Sequence, residues 1–90
     1  MIQNTELVIL IQTLAAAEQG SFRKAGLQFG IPASTISRRV RLLEAQMGVT
    51  LFRRHRHGIR STAIGNSFIE EIRRVLDDLD LVLVNTSSGN

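Results

Sequence analysis

Glycines at positions 20, 30 and 48 cut the first half of the chain into three short helical segments, and an unbroken helical period then runs from Ala63 to about Val84. Helices this short do not persist alone in water, so each must bury a face against the others. In the first segment, residues 5–18, Leu7, Leu10, Ile11, Leu14 and Ala17 form one apolar stripe. Asn4 or Thr5 is placed to cap its start, and Gly20 to end it. Val8 and Ile9 fall off the stripe, which means either a helix buried on two sides or a second apolar contact, with another subunit. Ser21 is a natural N-cap for the second segment, whose inner face is Phe22, Ala25 and Phe29. Pro32 fits the first turn of the third, where a missing N–H costs nothing. There Ile36, Val40, Leu43 and Met47 turn inward, and Ser34, Thr35, Ser37, Arg38 and Arg41 turn outward.

Residues 49–62 change character. Val49–Phe52 is a short strand-like run, Arg53 to His57 are five basic or imidazole side chains in a row, Gly58 offers a turn, and Ile59–Thr62 return as a second strand. From Ala63 onward Ile64, Phe68, Ile72, Val75, Leu79 and Val82 recur at helical spacing, and Ile69, Leu76 and Leu83 widen the stripe. Residues 85–90 are small and polar and read as a frayed tail. The expected fold is mainly α: a three-helix core with a small β-hairpin wing over residues 1–62, then a long linker or dimerisation helix in residues 63–90.

The charge pattern says what the two parts face. Residues 1–60 hold nine Lys/Arg against Glu6, Glu18 and Glu44, a net +6. The remainder holds Arg73 and Arg74 against five acids, a net −3, and the two sum to the chain's +3. A basic body with an acidic tail suits a polyanion on one side and another task on the other. Only four phenylalanines are present and no Trp or Tyr, too few rings for a base-stacking platform. The chain has no cysteine, which excludes disulfides and thiolate chemistry. The N-terminus lacks the basic start of a signal peptide, and its apolar run Leu7–Ile11 is too short for the ~20 residues of a membrane span.

The second and third helices make a helix-turn-helix, and a helix of ~10–12 Å diameter fits the major groove of B-form DNA. Ser34 and Thr35 are small enough for close approach to base edges, and Arg38 can present its two-pronged guanidinium to guanine. Ser37 and Arg41 stand at the sides, where phosphates run. Catalysis finds no constellation. His55 and His57 have no third ligand nearby for a metal, and there is no glycine-rich phosphate loop or Ser-His-Asp pattern. No cofactor is expected.

Gly20-Ser21-Phe22, Ala25, Ile31, Ser37-Arg38, Leu43-Glu44, Gly48-Val49, Leu51-Phe52, Arg54, Thr62 and Gly65 fall in one order and register, and in these residues the chain resembles the LysR-type transcriptional regulators. The resemblance implies a winged helix-turn-helix that binds double-stranded DNA at an interrupted inverted repeat, with a recognition helix at about 32–47 and a wing at about 49–62. It places base or backbone contacts on Ala33, Ser34, Thr35, Ser37 and Arg38 and on the wing residues Arg54, His55, Arg56 and His57. Ser21, Arg41 and Arg60 complete the expected DNA-facing set. It implies a homodimer through Val8, Ile9, Phe68, Ile72, Val75, Leu76, Leu79 and Val82, tetramers in the full-length protein, and a cytoplasmic location on the nucleoid. A small-molecule effector would act only through a C-terminal domain that this sequence does not contain. Departures from the family pattern are Gly26 for alanine, Pro32 for a capping serine, Ala33 for a base-reading glutamine, His57 for arginine and Ser61 for leucine. A winged-helix adaptor that binds protein rather than DNA is the alternative function.

Overall fold

The computed structural model describes residues 4–88. The order is α1 (Asn4–Gln19), α2 (Phe22–Phe29), α3 (Ala33–Met47), β1 (Phe52–His55), β2 (Gly58–Ser61) and α4 (Ala63–Ser88). The strands form an antiparallel hairpin that pairs Phe52 with Ser61, Arg53 with Arg60, Arg54 with Ile59 and His55 with Gly58. No described helix is long and apolar enough to cross a membrane.

Helix α1 is the central element and touches α2, α3, α4 and β2. Its most buried residues are Gln12, Thr13, Ala15 and Ala16, not the stripe expected from the sequence. The expected stripe is only half-buried, and its Leu7 and Leu10 line a groove with Phe68, Ile72 and Leu76 of α4. The helix is therefore buried on two sides: a small-residue face lets the body approach closely, and a larger apolar flank meets α4. Thr13 satisfies its hydroxyl on the Ile9 carbonyl at 2.7 Å. Gln12 accepts from Arg39 of α3 at 2.7 Å. The backbone of Asn4 and Thr5, the expected caps, falls within the helix, and the residues before them are outside the described range.

Ser21 caps α2 as expected, accepting from the Lys24 N–H at 3.1 Å. Gly26 is buried, and a Cβ there would lie 2.6 Å from the Ile31 carbonyl oxygen, so its lost helix propensity accompanies a close passage of backbone. Pro32 is the residue before the first turn of α3, with φ −63° and ψ 144°, rather than within it. Ile36 and Val40 are buried, but Met47 is 37% exposed and does not join the core.

The hairpin starts later than the hydrophobic pattern implies. Val49–Leu51 is not strand; β1 begins at Phe52 and takes in Arg53, Arg54 and His55. Leu51 is fully buried because its backbone is tied down on both sides. Its N–H donates to Glu44 at 2.6 Å, and its carbonyl accepts from the Thr62 N–H at 2.9 Å. Thr62 then caps α4, its hydroxyl oxygen accepting from the Gly65 N–H at 2.9 Å. Helix α4 continues through Ser88, beyond the expected end near Val84, and residues 89–90 are outside the described range. Only its first half packs on the body: Ile69 and Ile72 are 5% and 6% exposed, whereas Val75 and Leu81–Val84 are 57–60% exposed.

Candidate nucleic-acid interface

Ser34, Ser37, Arg38 and Arg41 are spaced three, one and three apart, which puts them on one face of α3. That face, with Ala33, forms one wall of a concavity of about 380 Å³. Phe22 and the wing residue Arg54 also line it. Six of the residues singled out from sequence thus meet at one place: Ala33, Ser34, Ser37, Arg38, Arg41 and Arg54. Three of them are arginines, on an open surface with no carboxylate in the lining.

The remaining expected residues are distributed around it. Thr35 is half-buried and does not line the concavity, since it sits ~100° round the helix from Ser34. Ser21 has its hydroxyl engaged in capping α2. Arg56 and His57 form the hairpin turn, exposed, and the imidazole Nδ1 of His55 accepts from the His57 N–H at 3.2 Å. Arg60 is exposed on β2, directly across the hairpin from Arg53.

Arg54 does not reach toward the tip. Strand alternation puts it on the same face as Phe52, looking back at the body. Its guanidinium lies 5.0 Å from the Phe22 ring centroid and donates to the Ser37 hydroxyl. The Phe22 ring is itself held edge-to-face by Phe52, centroids 6.1 Å apart at 88°. The wing and recognition helix are thus joined by side chains as well as by backbone.

Several residues that matter here were not singled out from the sequence as site residues. Glu44 accepts from two wing backbone N–H groups, Leu51 at 2.6 Å and Phe52 at 3.3 Å. A lone acid after three arginines was the available signal. Arg39, between two outward-facing arginines, points inward to Gln12. Arg53 was counted in the basic run, but its pairing with Arg60 depends on hairpin register, which the sequence leaves open. Among the described residues no three His, Asp or Glu gather as a metal-binding group.

The family model described as a bacterial regulatory helix-turn-helix protein, lysR family, matches residues 10–66. The chain belongs to the LysR family. This LysR-family chain is 32% identical over 77 residues to the HTH-type transcriptional regulator ClcR of Pseudomonas putida, covering 86% of this chain and 26% of that protein. It is similar to the solved CbnR DBD–DNA complex at a TM-score of 0.82 and 31% identity, over 93% of this chain and 97% of that one. It is similar to the BenM DBD bound to catB site 1 DNA at 0.85 and 28% identity, over 92% of each chain. The LysR-family chain spans about a quarter of the length of the curated relatives it matches, 26% and 22% for the first two. The four-helix, two-strand arrangement is the winged helix-turn-helix of LysR DNA-binding domains.

Proposed function

We propose that this chain binds double-stranded DNA sequence-specifically as the DNA-binding part of a transcription regulator, and that no catalytic step belongs to it. In this reading α3 enters the major groove and the wing lies on the backbone or in the adjoining minor groove. The observation that carries it is the concave face where Ser34, Ser37, Arg38 and Arg41 meet the wing residue Arg54. Hydroxyls and guanidinium groups on one helix face are the donors that base edges and phosphates require. A protein-binding adaptor has no use for three arginines in one open hollow.

We further propose that two copies pair about a twofold axis through the outer half of α4. Val75 and Leu79 are exposed on the stripe that Ile72 continues into the protomer's own core. Each such side chain contributes ~1.5–3 kcal/mol if a partner removes it from water. The proposed contact includes Val8, 44% exposed on α1, and Ile9, which lines a groove with Phe68 of α4. Effector sensing and tetramer formation belong, in this proposal, to the part of the relatives that this chain does not match.

The test is binding to a duplex selected from a random pool, compared with random duplex, across a salt series. Specific binding is expected to exceed random binding by at least ~10³-fold at one fixed salt concentration. Arg38→Ala should cost roughly ten- to hundred-fold on the selected duplex and much less on random DNA, since a bidentate base contact discriminates by ~1–3 kcal/mol. Equal affinity of the wild type for all duplexes would overturn the sequence-specific reading.

A further inference from the structure

We propose that Arg54 acts on DNA through Ser37, making that hydroxyl a fixed hydrogen-bond donor that reads an acceptor atom on a base edge. The inference rests on the DNA-binding reading above and assigns Arg54 a positioning role in place of a wing contact to the backbone.

A serine oxygen carries one O–H donor and two lone pairs, and free rotation lets it serve either way. A guanidinium can only donate. With Arg54 donating to Ser37, one lone pair is occupied and a cation stands beside the oxygen. The hydroxyl proton then points away from Arg54. Ser37 lines the concavity on the Ser34–Arg38 face, so the donor is presented to whatever fills that hollow. In the major groove guanine offers O6 and N7, adenine N7 and thymine O4 as acceptors, whereas cytosine offers only a donor. A serine whose proton is aimed into the hollow therefore favours those acceptors over cytosine, which leaves that proton without a partner.

Arg54 is held for this task from three directions. Its backbone is fixed in β1 opposite Ile59. Its guanidinium stacks 5.0 Å from the centroid of Phe22, which is only 9% exposed. Phe52, two residues earlier on the same strand face, locks the Phe22 ring by an edge contact. Aromatic faces attract guanidinium groups, and a stacked guanidinium keeps its N–H edge free to donate sideways. The chain Phe52–Phe22–Arg54–Ser37 runs from the core to the reading face.

The experiment measures affinity of the wild type, Ser37→Ala, Arg54→Met, Arg54→Lys and the double variant Ser37→Ala/Arg54→Met. The probes are a selected duplex, its single-base variants and random duplex, with a salt series for each protein. Arg54→Met keeps a long stem over Phe22 and removes the donor; thermal melting checks that it folds. Ser37→Ala and Arg54→Met should each erase ~2- to 10-fold of discrimination at the same base pair in each half-site, the worth of one hydrogen bond. The double variant should lose no more discrimination than either single change, and Arg54→Lys should restore part of it. If Arg54→Met instead weakens every duplex equally, with the salt slope reduced by about one unit per subunit, Arg54 is a phosphate clamp and the proposal is overturned. Equal weakening of all duplexes by Ser37→Ala, placing that hydroxyl on a phosphate, overturns it too. In both cases a wild type that still prefers its selected duplex leaves the DNA-binding reading standing; a wild type with no preference removes both.

Discussion

Glu44 holds the wing by its root. One carboxylate oxygen takes the backbone N–H groups of both Leu51 and Phe52. Both residues are buried, so water is a poor substitute. Glu44→Ala should destabilise the fold by ~1–3 kcal/mol, the cost of leaving such donors unsatisfied. Glu44→Gln retains an acceptor oxygen and should cost less; thermal unfolding of the two variants gives the comparison. A different balance operates at Arg53 and Arg60, which face each other across the hairpin. Like charges directly opposite are destabilising by a few tenths of a kcal/mol to ~1 kcal/mol. Arg60→Ala should therefore leave the melting temperature unchanged or raise it, while weakening specific and random DNA alike. A fall in melting temperature with DNA affinity intact would show that Arg60 supports the fold instead.

Helix α4 is divided by its environment. Ile69 and Ile72 belong to the protomer's core, although Ile72 shares the stripe expected to meet a partner. Ile72→Asp should consequently unfold the chain rather than merely separate two copies. Val75→Asp and Leu79→Asp, at exposed positions, should keep the melting curve of a folded protomer and give monomers with weakened DNA binding. Sedimentation across a concentration series checks this; a wild type that stays monomeric at high micromolar concentration would rule the dimer out. The same element marks how far sequence could go. Periodicity found all four helices, because apolar residues at turns of 3.6 leave a direct trace. It misplaced the buried side of α1, because the residues there are Gln12, Thr13, Ala15 and Ala16, chosen for small size or an internal partner rather than for hydrophobicity. It placed β1 too early, because the run Arg53–His55 is held as strand by the hairpin and by Arg54's contacts, not by apolar alternation. In the interface, the face of α3 was legible from spacing. The link between Arg54 and Ser37 was not, since it joins residues 17 positions apart and depends on how the wing folds back.

At the scale of the whole molecule, the body and α4 together extend 50 × 27 × 21 Å. The body carries a net +6, and α4, with five acids against Arg73 and Arg74, a net −3. An acidic outer helix is repelled by a polyanion, so the charge pattern orients the body toward DNA and keeps α4 clear of it. Binding should weaken linearly on a logarithmic salt scale, by ~0.9 for each phosphate contacted. Arg56→Ala at the hairpin turn should flatten that slope by about one unit per subunit, with equal loss on all sequences; an unchanged slope would mean the tip stands off the duplex. The wing is not free to search for its contact. The Ile59 N–H donates to the Gly20 carbonyl at 3.0 Å, and Gly58, at φ 142°, passes so near that a Cβ would lie 2.2 Å from the same oxygen. With its strand beside the turn bolted to the corner between α1 and α2 and its root held by Glu44, the hairpin and α3 behave as the two jaws of a calliper set to one opening. Whatever spacing the groove lacks must then be made up by the nucleic acid, so that the stiffness of an operator, at steps no side chain touches, becomes part of what this small domain selects.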